Sequence, residues 1–176
     1  MNKYIGLTGT NAAGKGETAA FFQEHGFSYF SLSDLIRKEI KKRGWKESRD
    51  NLIKTGNDLR EKYGADILAK WTMKEVGEKA VIDSIRNVKE VEFLKTQKNF
   101  ILLAIDAPIE IRYQRSKKRG RNESASSLEE FIQKETQELI GSETQQQIKK
   151  CMEMADFLII NDGTLEDLHR KLEKFL

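Results

Sequence analysis

A chain of 176 residues has room for one ordinary domain, 1–176, and its 31 Lys and Arg against 28 Asp and Glu leave a net charge of +3, too small to announce a nucleic-acid binder. A single cysteine, Cys151, excludes an internal disulfide framework and a multi-cysteine zinc site, and points to a reducing, cytoplasmic setting. The longest apolar run, Phe100 to Ile105, is far too short to span a bilayer, so no membrane partner is expected.

Five apolar runs read as strands: Tyr4 to Thr8, Phe27 to Ser31, Ala80 to Asp83, Phe100 to Ile105 and Phe157 to Ile160. Most are continuous rather than alternating, which suits strands covered on both faces. Between them run polar stretches with helical spacing, such as Leu35, Ile36, Ile40 and, later, Leu165, Leu168, Leu172, Phe175. The alternation predicts an α/β fold: a five-stranded parallel sheet with helices on both faces. Start signals agree, with Pro108 in a first turn, Ser127 and Glu130 as a capping box, and Thr164 with Asp167 as a weaker one. Arg43 to Gly77 reads as a helical insertion, and Gly120 to Ser127 as a mobile loop.

The first strand runs into Gly9-Thr10-Asn11-Ala12-Ala13-Gly14-Lys15, followed by a helical stretch, Glu17 to Glu24. This is Gly-x-x-x-x-Gly-Lys between a buried strand and a helix start. Glycines let the backbone curl with its N–H groups inward, the helix dipole adds positive potential, and Lys15 adds a full charge, so the loop is a phosphate cradle. The residue after Lys15 is Gly16, not Ser or Thr, so the customary Mg²⁺-ligating hydroxyl is missing and Thr18 is the nearest substitute. Glu17 suits the helix dipole yet sits beside a polyanion, which a metal or water contact would reconcile.

Further along, Ser33-Asp34-Leu35-Ile36-Arg37 follows the second strand and Asp83-Ser84-Ile85-Arg86 the third. With the phosphate loop, these resemble the P-loop nucleoside monophosphate kinases and their relative dephospho-CoA kinase, in a subgroup carrying Gly-Lys-Gly-Glu. The resemblance implies ATP as donor, Mg²⁺ as cofactor, and a small nucleotide as acceptor. It covers nearly the whole chain and implies a three-layer P-loop NTP hydrolase fold, with an acceptor-binding insertion over about 33–77 and a lid over about 115–128. Ser33 stands where the family has Gly, and the Asp83 motif is one residue shorter and lacks Pro.

On chemical grounds Asp83, leaving a buried strand beside the loop, is placed to hold Mg²⁺ through water. Asp34, Arg37 and Arg86 are the acceptor candidates, the guanidiniums gripping a phosphate by two prongs. Arg115 and Arg119 lie one helical turn apart, and the resemblance makes them the lid pair acting on the transferring phosphates, with Arg121 as a further candidate. The expected catalytic set is Lys15, Arg115, Arg119 and Asp83. Donor contacts are expected from Gly9, Asn11, Ala12, Ala13, Gly14, Lys15, Gly16, Glu17 and Thr18, with Asn161 and Gly163 beside the base. Thr18 and Asp83 are the expected metal residues.

Asp34 precedes Arg37 by three residues, as in monophosphate kinases, which tilts the acceptor toward a nucleoside monophosphate; phosphorylation of a ribose hydroxyl, as on dephospho-CoA, is the alternative. A monophosphate needs no general base, whereas an alcohol would benefit from one. His25 and His169 read as helix-surface residues, and Trp45, Tyr63, Leu68 and Trp71 as packing. A regulatory or nucleic-acid-associated NTPase is the rival class; no Asn-Lys-x-Asp tetrapeptide supports a GTP switch, and a polymer partner is disfavoured. The chain is expected to act as a monomer or homodimer.

Overall fold

The computed structural model describes residues 3–119 and 126–176. All five expected strands form: Lys3–Gly9 (β1), Ser28–Ser31 (β2), Lys79–Asp83 (β3), Phe100–Asp106 (β4) and Phe157–Ile160 (β5). They pair in parallel in the order β2-β3-β1-β4-β5, with Ile5 opposite both Val81 and Ile101. β1 is central, so its side chains are covered from both faces, which is why it reads as an unbroken apolar run.

The connections are helical: Lys15–Glu24 (α1), Leu32–Lys42 (α2), Arg49–Tyr63 (α3), Ile67–Met73 (α4), Val88–Lys95 (α5), Ile109–Arg119 (α6), Leu128–Leu139 (α7), Ile148–Glu153 (α8) and Leu165–Leu172 (α9), closed by a 3-10 turn, Glu173–Phe175. Strand periodicity divides the core into two layers. Ile5, Leu7, Val81 and Leu103 join Phe21 and Phe22 of α1 and Leu168 and Leu172 of α9 on one face. Ile82 and Leu102 join Leu32, Ile36, Leu59, Leu68 and Leu94 on the other, with Cys151 buried among them. This is the α/β P-loop architecture expected.

The insertion is helical as expected, resolving into α3 and α4 after α2. Ser48 caps α3 by accepting the Asn51 N–H at 3.2 Å. Thr164 and Asp167 form a complete reciprocal capping box on α9. Ser127 accepts the Glu130 N–H, but Glu130 reaches back to Ser126 rather than Ser127, so that box is displaced by one residue. A second complete box, Asn87 with Glu90, opens α5. Most of the loop expected over Gly120 to Ser127, with Arg121, lies outside the described residues. Among the described residues, no helix is long and apolar enough to cross a membrane.

Candidate active site

β1 delivers the chain to the C-terminal edge of the sheet at Gly9, and α1 takes over at Lys15. Gly9 has φ 127° and Gly14 φ 112°, a region that side chains rarely adopt, and a Cβ at Gly14 would stand 2.2 Å from the Asn161 amide nitrogen. The loop is braced from behind. Asn161 donates to the Ala13 carbonyl at 2.8 Å, Thr10 donates to Asp106 at 2.6 Å, and Arg112 of α6 reaches the Asn11 carbonyl at 3.4 Å. Arg112 is itself locked in a buried two-pronged pair with Glu135 of α7.

Lys15 curls over the loop and donates to the carbonyls of Thr10 at 2.6 Å and Gly9 at 3.0 Å. Burial, reinforced by the Arg86 charge, lowers its pKa from 10.5 to about 8. Carbonyl acceptors do not neutralise an ammonium, so the lysine is poised to exchange them for an anion.

Loop and lysine open onto a cleft of about 990 Å³, bounded opposite by α2 and α3. Asp83, at the end of β3, is buried; its carboxylate accepts the Ser84 N–H at 2.5 Å and the Tyr29 hydroxyl at 3.3 Å. Burial and the neighbouring Asp83 charge push the Tyr29 phenol up to about 12, so it is a fixed donor at neutral pH. Arg37 is held by Ser33 at 2.7 Å, Glu47 at 2.8 Å and Asp34 at 3.2 Å. Arg86 donates to Gln146 at 3.1 Å and to Glu138 at 3.2 Å. Glu138 also takes Arg49 at 2.7 Å. Burial opposes its ionisation, but Arg86 and Arg49 prevail and hold the carboxyl below its usual range.

Asn11, Ala12, Ala13, Gly14, Lys15, Gly16 and Glu17 line the cleft, as do Asp34, Arg37, Asp83, Arg86 and Arg119. Four of the expected residues, Thr18, Asn161, Gly163 and Arg115, do not line this cleft. Thr18 is fully buried and its hydroxyl donates to the Gly14 carbonyl at 3.1 Å, so it offers no ligand to a metal in the cleft. Asn161 spends its amide behind the loop, while Gly163 lies at the exposed turn between β5 and α9, so neither lines the cleft. Arg115 reaches the Ala13 carbonyl at 3.4 Å and supports the loop, leaving Arg119 as the member of the pair at the cleft. His25 and His169 pack at a tilt against Phe21 and do not line the cleft.

Arg49 and Glu138 stand 89 residues apart and share no local signature that would mark them in the sequence. Among the described residues no group of three or more His, Cys, Asp or Glu side chains could hold a metal ion. A divalent cation here would draw most of its ligands from phosphates and water, as Mg²⁺ does, and the Asp83 carboxylate fits that role.

Residues 5–140 match the family model described as an AAA domain. A UPF0200 protein of Sulfurisphaera tokodaii is 31% identical over 99% of this chain and 96% of its own length. UPF0200 protein MJ1399 of Methanocaldococcus jannaschii is 30% identical over 98% of this chain and 88% of its own. A UPF0200/UPF0201 protein of Archaeoglobus fulgidus is 35% identical, and the chain spans 55% of that relative's length. Among solved structures, TT1252 from Thermus thermophilus superposes with a TM-score of 0.66 at 21% identity, covering 98% of this chain and 95% of that one. Shikimate kinase from Aquifex aeolicus gives 0.60 at 16% identity with the same coverage. At such identities the likeness speaks for the fold alone.

Proposed function

We propose, on the premise that this chain belongs to the AAA domain family and to the UPF0200 proteins, that it transfers the γ-phosphoryl group of ATP to a small anionic acceptor, in the first instance a nucleoside monophosphate. One observation carries this reading. A single cleft is lined both by the phosphate loop with its lysine and by Arg37, Arg49 and Arg86. A phosphate loop and several guanidiniums sharing one cleft suit phosphoryl transfer between two phosphorylated molecules, since catalysis there is mostly positioning and charge neutralisation.

In this mechanism the loop amides and Lys15 take the donor's phosphates, the lysine leaving the Gly9 and Thr10 carbonyls. Arg37 and Arg86 orient the acceptor phosphate for in-line attack, and Arg119 of α6 closes on the transferring group. Mg²⁺, when bound, would be held by Asp83 through water and would supply charge neutralisation to the phosphates. The neighbouring carboxylate Asp34 is committed to Arg37 at 3.2 Å, which supports an acceptor that is already an oxyanion over an alcohol needing a base.

ADP release from ATP, and in parallel GDP release from GTP, measured against nucleoside monophosphates, dephospho-CoA, shikimate, gluconate and single-stranded RNA tests the reading. Strong stimulation by one monophosphate is expected. Stimulation by dephospho-CoA alone would move the acceptor to a ribose hydroxyl. Stimulation by RNA alone, or by none of the panel, would replace the kinase with an NTPase of another kind.

A further inference from the structure

We propose that Glu17 is a ligand for a divalent cation on the donor phosphates, standing in for the hydroxyl that the loop lacks at position 16. The assignment rests on the ATP-binding reading above and concerns residues that reading leaves without a task.

The loop has no hydroxyl to offer. P-loops ordinarily follow the lysine with Ser or Thr, whose oxygen meets the metal. Here Gly16 occupies that position, and a Cβ built on it would meet nothing within 4 Å, so packing does not demand glycine. Thr18, the next hydroxyl along, is buried and bonded to the Gly14 carbonyl.

Five carboxylates line the cleft: Glu17, Asp34, Glu47, Asp83 and Glu138. Asp34 and Glu47 are paired with Arg37, and Glu138 with Arg49 and Arg86. Asp83 accepts from Ser84 and Tyr29. Among the described residues, Glu17 is the cleft carboxylate with neither a hydrogen bond nor an ion pair, and it stands exposed in the first turn of α1 beside the lysine. An unneutralised carboxylate against a polyphosphate repels it. A hard divalent cation between them reverses the sign, since Mg²⁺ takes carboxylate and phosphate oxygens together. Asp83, the other cleft carboxylate free of a guanidinium, supplies a second protein contact through water.

The arrangement has a thermodynamic signature distinct from turnover. Glu17 should penalise metal-free ATP and reward the metal complex, so it sets the coupling between nucleotide and cation. Binding of a non-hydrolysable ATP analogue is measured with Mg²⁺ and with chelator, and Mn²⁺ affinity of the nucleotide complex is followed by electron paramagnetic resonance. In Glu17→Gln the metal-free analogue is expected to bind several-fold tighter than in wild type, while the enhancement by metal falls by about tenfold or more. Gly16→Ser in the Glu17→Gln background is expected to recover metal coupling, because there is room for the side chain. Wild-type binding with Glu17→Gln showing the same metal enhancement overturns the assignment of Glu17 alone. A wild-type protein that binds no analogue under either condition overturns the donor site itself, and this ligand with it.

Discussion

Arg60 of α3 and Glu90 of α5 form a buried ion pair that ties the helical insertion to the C-terminal edge of the sheet: Nε and Nη2 of Arg60 lie 2.9 and 2.8 Å from Glu90 Oε1, with the side chains 2% and 0% exposed. The second oxygen, Oε2, accepts the backbone N–H groups of Arg86 and Asn87, each at 3.0 Å. One carboxylate thereby closes the α5 cap, anchors the insertion and fixes the backbone that carries Arg86. Removing one partner strands a buried charge, so Arg60→Ala or Glu90→Ala should cost about 3–5 kcal/mol in urea unfolding, and the double change to apolar residues of similar size considerably less. Equal losses for single and double variants would show that the pair is not coupled.

Lys15 should make binding of the proposed ATP donor pH-dependent. Its pKa in the free protein, about 8, is below its ordinary 10.5, so the ammonium is lost as pH rises through 8. Bound phosphates favour the ammonium and raise the value, so binding near pH 8 takes up protons, and ATP affinity should decline by up to about tenfold per pH unit above that point. For stability the sign is opposite to that of a favourable pair: burying the ammonium destabilises the free protein below pH 8, and the penalty fades between pH 8 and 10.5. Calorimetry in two buffers of different ionisation enthalpy measures the proton uptake directly. Lys15→Ala should reduce turnover by a factor on the order of 10³ or more.

The loop glycines should differ sharply on substitution. At Gly9 a Cβ would lie 2.0 Å from the Ile105 carbonyl oxygen on a backbone with φ 127°, so Gly9→Ala should destabilise by roughly 2 kcal/mol or more. Gly14→Ala meets the Asn161 amide and should weaken both stability and nucleotide binding. Gly16→Ala meets open space and should leave the thermal midpoint unchanged; a large shift there would mean that the loop conformation differs from this one.

The acceptor arginines should separate kinetically from the lysine. Arg37→Ala is expected to raise the acceptor KM by about tenfold or more while leaving the Kd for ATP nearly unchanged, whereas Arg86→Ala should raise the acceptor KM and also disturb Lys15, on whose charge it acts. Arg86 carries the greater structural burden, because losing it leaves buried Glu138 with Arg49 alone, so Arg86→Ala should also lower stability by about 1–3 kcal/mol. Equal weakening of donor and acceptor by Arg37→Ala would remove that residue from the acceptor site.

Local pattern was enough for the strands and for the loop residues that line the cleft. A strand buried on both faces must be apolar throughout, and a backbone that turns to cradle an anion must place glycines at fixed spacing, so β1 and the loop at Gly9 to Lys15 are written in consecutive residues. The same holds for the Asp34 to Arg37 helix turn and for Asp83 at its strand end. Pattern misled where a side chain could serve either the cleft or the scaffold. The hydroxyl of Thr18, the amide of Asn161 and the guanidinium of Arg115 suit ligand binding by type, yet each is spent on a loop carbonyl, at Gly14 or Ala13.

Sequence alone determined the order of elements, the phosphate loop and the candidate charges, because those follow from steric and hydrophobic rules acting over a few neighbouring residues. Only tertiary structure decided which charges are paired with one another and which are left to meet a ligand. Arg49 and Glu138, or Arg60 and Glu90, become partners when helices far apart in the chain converge on one sheet edge, and burial then sets how strongly each ionised group holds its neighbour.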